Sequence, residues 1–190
     1  MQYLRIPHER IGVLLGRGGS LKKKVEEETL VEIRVDSEEG YVEIDGSNSY
    51  DPVMELKVAS YVSAIGRGFS PERAKKLFFE DVFLEMVHIS DYTGGRKNRI
   101  QRMRGRLIGK DGRAREMLER LTDTSISVAG DTVAIIGDAP EIQLAREGID
   151  MLLRGSEHSA VFNFLERKRR ELKLKELLYG TVPEFKEEEE

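Results

Sequence analysis

The pattern Gly-x-x-Gly occurs twice in equivalent surroundings, as Gly16-Arg17-Gly18-Gly19 and as Gly109-Lys110-Asp111-Gly112, about 90 residues apart. Superposing the two turns also aligns Leu14 with Leu107, Leu15 with Ile108, Val25 with Leu118, Thr29 with Thr122, Ile33 with Ile126 and Val35 with Val128. Apolar positions that recur in register on both sides of a turn define a duplicated unit. The period is too long for a solenoid repeat and suits two tandem domains. With 190 residues in the chain, each copy is long enough for a small core of its own.

Each copy repeats one order of elements. Tyr3, Leu4 and Ile6 mark a short strand ending at Pro7, and Ile11, Leu14 and Leu15 recur at helical spacing before the first turn. A second helix starts at Ser20 with Leu21 and Val25 on its inner face. Val31, Ile33 and Val35 alternate, Glu38-Glu39-Gly40 reverses the chain, and Tyr41 to Ile44 pairs back. Pro52 is expected to open a longer helix through Val53, Leu56, Tyr61 and Ile65. Ser70 and Pro71 form an N-cap and first turn for a short connecting helix through Leu77 and Phe78.

The order then returns. Val82 to Ile89 reads as a strand, a helix runs from about Gly95 to Ile108, and a second helix follows the turn to Leu121. Ile126 and Val128 pair with Val133 and Ile135 across Gly130-Asp131, and Pro140 opens a helix carrying Ile142, Leu144, Ala145, Ile149, Leu152 and Leu153. One more helix, from Glu157 to about Leu178, has Val161, Phe164, Leu165, Leu172 and Leu177 available for docking, with Arg167 to Arg170 on the solvent side. The expected fold class is α+β. The expected units are residues 1–69, a connecting helix at 70–80, residues 81–155, a C-terminal helix at 156–180 and a mobile acidic tail at 181–190.

The turn itself suggests a chemistry. Glycine at both ends lets the main chain bend sharply and keeps side chains out of the way of an approaching strand. Amides at the start of the following helix face outward with the positive end of the helix dipole behind them, which favours a phosphate. Lys110 adds a point charge. The formal net charge of −4 hides a strong asymmetry. Arg96, Lys97, Arg99, Arg102, Arg104, Arg106, Lys110, Arg113, Arg115 and Arg120 stand against only Asp111, Glu116 and Glu119 in the same segment. Around the first turn, Arg10, Arg17 and Lys22 to Lys24 are countered by Glu9 and Glu26 to Glu28. The second turn is therefore the expected site for a polyanion.

Other classes find little support. The chain has no cysteine, which excludes disulfides and thiolate chemistry. No run of about 18 apolar residues is present and the N-terminus lacks a basic, apolar, small-residue leader, so neither a membrane span nor a signal peptide is expected, and the chain reads as cytoplasmic. His8, His88 and His158 are scattered, and no metalloprotease, phosphate-loop or nucleophile-elbow pattern occurs. Neither catalysis, a metal nor a cofactor is expected. A protein scaffold with vestigial turns stays open, with Glu26 to Glu28 and Glu38-Glu39 as candidate contacts. Phe78, Phe79, Phe162 and Phe164 stand at helical spacing and are expected to pack rather than to stack on bases.

Strand, helix, Gly-x-x-Gly, helix, strand, turn, strand, helix resembles the eukaryotic-type (type I) KH domain. That resemblance implies two three-stranded antiparallel sheets, each with three helices, and a clamp for about four nucleotides of single-stranded nucleic acid. It implies as RNA-binding residues Arg104, Arg106, Leu107, Ile108, Gly109, Lys110, Asp111, Gly112, Arg113, Ile126, Ser127 and Val128, with Leu107, Ile108 and the Ile126 to Val128 strand as the floor under the bases. A possible second RNA site comprises Gly16, Arg17, Gly18, Gly19 and Lys22. Two such domains, a basic helix before the second clamp and a charged C-terminal helix resemble the archaeal branch of the partner-of-Nob family of small-subunit ribosome-assembly factors, over roughly residues 1–180. The implied partners are the 3′ end of small-subunit ribosomal RNA and assembly proteins such as the maturation endonuclease or dimethyltransferase. The alternative implied by KH domains at large is a general RNA-binding protein of RNA processing or decay. In eukaryotic members of the family the first domain tends to lose its glycine turn; here Gly16 to Gly19 is intact.

Overall fold

The computed structural model describes residues 1–179. The first half runs β1 (Gln2–Arg5), α1 (His8–Leu15), α2 (Ser20–Thr29), β2 (Glu32–Val35), β3 (Tyr41–Asp45) and α3 (Met54–Gly66). A connecting segment follows, α4 (Pro71–Ala74) continued by a 3-10 turn at Lys75–Phe78. The second half runs β4 (Phe83–His88), α5 (Ser90–Thr93), α6 (Lys97–Ile108), α7 (Arg113–Thr122), β5 (Ser125–Ala129), β6 (Thr132–Gly137) and α8 (Ala139–Leu153), and α9 (His158–Tyr179) closes the described chain. The expected acidic tail at 181–190 lies outside the described residues. Among those described, no helix is long and apolar enough to cross a membrane.

Each sheet is three-stranded and antiparallel, in the orders β1-β3-β2 and β4-β6-β5. Val42 stands between Leu4 and Val35 in the first, and Ala134 between Met86 and Ser127 in the second. The architecture is α+β, two tandem KH domains of the eukaryotic type with a connecting helix and a C-terminal helix. Two elements differ from expectation. A short unexpected helix, α5, precedes the helix expected from about Gly95 to Ile108; Gly94 and Gly95 both turn left-handed (φ 61° and 73°), ending α5, and the expected helix runs unbroken as α6 from Lys97. Pro52 sits in a turn rather than opening α3, whose first helical residue is Met54; Asp51 instead accepts the Val53 amide at 2.8 Å.

The duplication extends to individual hydrogen bonds. Thr29 Oγ1 donates to the Val25 carbonyl at 2.7 Å, and Thr122 Oγ1 to that of Leu118 at 2.8 Å. Leu30 and Asp123, both left-handed, end α2 and α7. Glu26 accepts the amide of Ile33 at 2.8 Å and Glu119 that of Ile126 at 2.6 Å. Strands β2 and β5 are sheet edges, and a carboxylate from the preceding helix occupies an amide that pairing leaves free.

The two halves differ in what covers their sheets. Ile33, Val42 and Ile44 of the first sheet are buried against α1 to α3, while Tyr3 and Tyr41 on the other face are exposed. In the second sheet every residue of β6 is buried. Val133 and Ile135 join the core under α6 to α9, whereas Ala134 and Ile136 join the first domain's core with Tyr61, Ile65, Phe69 and Leu77. The first domain thus backs the second sheet. The sequence carries this signal, for Val133-Ala134-Ile135-Ile136 is unbroken and Tyr41-Val42-Glu43-Ile44 alternates, as strands buried on two faces and on one face do. Polar ties fasten the junction: Ser127 Oγ donates to the Arg67 carbonyl at 2.8 Å, Lys76 Nζ to Ser125 Oγ at 3.2 Å, and Arg73 pairs with Glu119.

Helix α9 packs on α7 and α8 through Val161 and Leu165, the latter seated where Gly148 leaves room; a Cβ there would stand 2.9 Å from Leu165 Cδ1. His158 Nε2 donates to the Arg106 carbonyl at 2.8 Å, and Arg169 pairs with Asp123 at 2.7 Å. These ties lay α9 along α7, from the end of α6 to the end of α7. Of the residues expected to dock, Leu177 is left exposed.

Candidate nucleic-acid interface

The two glycine turns have the same backbone. Gly16 (φ 71°, ψ −177°) matches Gly109 (φ 71°, ψ −179°), in a region that only glycine adopts freely. Gly18 (φ 59°, ψ 26°) matches Asp111 (φ 54°, ψ 26°), and Gly19 (φ 77°, ψ 12°) matches Gly112 (φ 80°, ψ 2°). The glycines at the two ends of each turn have different reasons. A Cβ on Gly109 would stand 2.6 Å from Ala114 Cβ and 2.9 Å from its amide nitrogen, and one on Gly16 2.6 Å from Leu21 Cγ, so the turn closes only on glycine. A Cβ on Gly112 would meet nothing nearer than Arg115 Nη2 at 3.7 Å. Its space is open to whatever approaches from outside.

Two amides of the second turn are bare, while that of Arg113 donates to the Lys110 carbonyl. Neither α7 nor α2 has a side-chain cap, so the free amides of the first helical turn face outward. Gly112 reaches the Gly109 carbonyl only at 3.4 Å, and among the described residues the amides of Lys110 and Asp111 have no hydrogen-bond partner. Lys110, Asp111 and Arg113 are exposed. Neither the first domain nor α9 covers the bend. Asp111 keeps a left-handed conformation that its short polar side chain tolerates, at the position where the first turn has glycine.

The structure brings some of the expected site residues together and sends others elsewhere. Gly109 to Arg113 form the bend. Ile108 is half-buried beside it and packs into neither core, leaving it available as an apolar floor. Leu107 and Ile126, expected in that floor, are 1% exposed and belong to the core. Side chains in a two-layer fold must alternate between core and surface, and these two point inward. Val128 is half-buried against the same core. Ser127 faces the first domain and bonds Arg67. Arg106 donates to the Ser156 carbonyl at 2.6 Å, so its charge is directed toward the start of α9. Arg104 is half-buried on α6 itself.

Charge separates the two turns. Among the described residues, Arg96, Lys97, Arg99, Arg102, Lys110 and Arg113 form no ion pair with a carboxylate. At the first turn Lys22 pairs with Glu26 at 2.9 Å and Lys24 with Glu28 at 3.9 Å, while Arg10 is bonded to the carbonyls of Ile65 and Phe69. Arg17 and Lys23 are left facing solvent there.

Two residues of this surface escaped the sequence reading. Gly105 and Gly12 lie one helical turn before the first glycine of each clamp, and their carbonyls accept the amides of Gly109 (2.8 Å) and Gly16 (3.0 Å). Both are exposed helical residues, and a Cβ on either would meet nothing within 4 Å. The fold therefore gives no steric reason for glycine, which weakens a helix by about 0.8–1 kcal/mol relative to alanine. The alignment that pairs Leu14 with Leu107 also pairs Gly12 with Gly105, so the signal was present. Of the four phenylalanines, Phe78 stacks on Tyr61 at 5.1 Å and Phe162 and Phe164 pack on the second core, but Phe79 is 67% exposed.

A model of the eukaryotic-type (type I) KH domain, built on the second domain of PNO1 proteins, matches residues 83–170, and the KH-domain model matches residues 1–51. A KH domain-containing protein of Methanocaldococcus jannaschii is 43% identical over 91% of this chain and 76% of its own length. The RNA-binding protein pno1 of Drosophila pseudoobscura is 32% identical over 87% of this chain and 70% of its own. The crystal structure of Dim2p from Pyrococcus horikoshii matches with a TM-score of 0.83 at 43% identity, covering 87% of this chain and 98% of that one. A second structure from that organism, a complex of a/eIF2alpha, Dim2p and rRNA, matches with a TM-score of 0.84 at 42% identity, covering 90% and 94%.

Proposed function

Since the chain belongs to the partner-of-Nob (PNO1/Dim2) family of KH-domain proteins, we propose that it is a non-catalytic RNA-binding factor of small-subunit ribosome biogenesis that clamps the unpaired 3′ end of small-subunit ribosomal RNA through its second domain. The observation that carries this reading is the bare bend at Lys110-Asp111, uncapped at α7 and flanked by cations without carboxylate partners. Relatives named as RNA-binding and pre-rRNA-processing proteins, and the rRNA complex of the Pyrococcus horikoshii protein, support the choice of ligand.

On this reading the RNA backbone crosses the bend. Phosphates meet the amides of Lys110 and Asp111 and the first turn of α7, and Lys110 and Arg113 neutralise them. Gly112 and Gly105 admit the strand to the main chain, and Ile108 lies under a base. Each phosphate neutralised contributes about −0.7 to the logarithmic salt slope for a single strand. The first turn has the same backbone with fewer free cations, which supports a second and weaker contact there. Assembly proteins, among them the maturation endonuclease or dimethyltransferase, are the proposed partners at the ribosomal particle, in the cytoplasm.

The test is the double substitution Lys110→Asp and Gly112→Asp. Aspartate tolerates left-handed backbone, and the open space at Gly112 accepts its side chain. The variant should fold, with melting lowered by a few degrees because any side chain at Gly112 is strained by its left-handed backbone. Affinity for a fluorescent single-stranded RNA of the ribosomal 3′ sequence should fall about tenfold or more at constant salt, since two negative charges replace one positive charge beside the phosphates. Unaltered affinity in a folded variant would remove the clamp from the account.

A further inference from the structure

On a separate part of the surface, the start of α3 and the segment leading into β4 enclose an open groove of about 810 Å³. Its apolar lining is unusually accessible: Val53 is 50% exposed, Phe79 67% and Phe83 53%, over a base of Met54 and Phe78. Single exposed apolar residues are ordinary, but two aromatic rings and an aliphatic side chain around one concavity are costly to leave in water. Packing does not explain Phe79. Neighbouring Phe78 turns inward onto Tyr61, and the chain is extended at Phe79 (φ −69°, ψ 153°) and left-handed at Asp81 (φ 60°).

The groove is also held in shape. Lys57 Nζ donates to the carbonyls of Phe78 and Phe79 at 3.4 and 3.3 Å, tying the segment to α3 so that the ring of Phe79 projects from an anchored main chain. Among the described residues of the lining, this commits the one cation to main-chain oxygens. The rim carries Asp51, Glu80 and Asp81, and among the described residues none of these carboxylates has an ion-pair partner. An acidic rim repels a phosphate backbone, which argues against base stacking as the purpose of the rings. Apolar anchors within a rim of one sign favour a protein segment of the opposite sign.

We propose that the groove between α3 and the Phe79–Phe83 segment docks a basic amphipathic helix of a protein partner, whose apolar side chains meet Phe79, Phe83 and Val53 and whose lysines or arginines meet Asp51, Glu80 and Asp81. The chain then carries two surfaces of opposite character, a cationic one around the glycine bend and an acidic, apolar one here. The proposal stands independently of RNA binding.

A synthetic helical peptide of leucine and lysine, leucines spaced to form one face, serves as the probe, and its leucine and glutamate counterpart as the control. Fluorescence anisotropy with the full chain should show saturable, salt-sensitive binding of the basic peptide and none of the acidic one. Phe79→Ser with Phe83→Ser should weaken it tenfold or more with RNA affinity unchanged. The gentler pair Glu80→Gln with Asp81→Asn, which keeps the rings and the left-handed residue, should weaken it severalfold and flatten its salt dependence. Equal binding of both peptides, or basic-peptide binding indifferent to both variants, overturns the proposal. Loss of RNA affinity in the aromatic variant would show that nucleic acid occupies the groove, and conversion of a dimer to monomers in sedimentation would show a second copy there; either result overturns it too.

Discussion

Gly105 gives the sharpest test of the interface because stability and binding should move in opposite directions. It lies in the last turn of α6, exposed, with its carbonyl bonded to the Gly109 amide and with open space where a Cβ would stand, nothing lying within 4 Å of that point. Gly105→Ala should relieve the helix of about 0.8–1 kcal/mol. For a chain of this size that corresponds to a melting temperature raised by about 2–4 °C. A methyl group between α6 and a closely bound strand should in turn cost about 1–3 kcal/mol of binding, as overpacking does elsewhere. That is a loss of roughly fivefold or more in affinity, since each 1.4 kcal/mol is a factor of ten. Calorimetric melting and RNA titration at fixed salt measure both quantities. Gly12→Ala should stabilise equally and affect RNA less, because the first turn has fewer free cations. A Gly105→Ala protein that is more stable and binds RNA as before would refute the close approach of the strand; one that is less stable would refute the reading of the helix.

Asp111→Gly restores the residue found at Gly18, removing a carboxylate from beside the phosphates, and should tighten RNA binding severalfold in the same titration; unchanged or weaker binding would count against phosphates at the bend. Gly109→Ala must force a side chain into glycine-only backbone against Ala114, and should lower stability by about 2–4 kcal/mol, combining backbone strain and overpacking; a melting temperature within about 2 °C of the parent, where about 4 °C or more is expected, would contradict it. Burial pushes the Tyr61 hydroxyl up to about 12. The unfolded chain ionises near its ordinary value of about 10 and the folded one does not, so stability should be lost as pH rises between those values. Tyr61→Phe keeps the ring on Phe78 and should flatten that limb in pH-dependent denaturant titrations, without lowering stability at neutral pH.

Much of the interface was legible because its chemistry is local. A glycine turn, the helices on either side of it and the alternation of Ile33 with Val35 and of Ile126 with Val128 are written over short spans, where backbone sterics and apolar spacing decide the outcome. Duplication then doubled every such signal. Helix ends at Gly94 and Gly95 were less legible because two successive left-handed glycines can follow a helix or interrupt one. Gly105 was missed for another reason: glycine inside a helix shows its meaning only when its surroundings prove empty.

What the amino-acid order determined by itself was the pair of KH folds, the shape of both bends and the excess of positive charge near the second. Only the tertiary structure decided which of those charges stay free, that Leu107 and Ile126 point into the core, that Ser127 is taken by Arg67, and that the first domain backs the second sheet while Phe79 and Phe83 stay uncovered. The physical reason lies in range. A φ/ψ choice or a helical repeat is settled among residues a few positions apart, whereas burial and ion pairing depend on which distant surfaces meet, as Arg73 meets Glu119 and Arg169 meets Asp123.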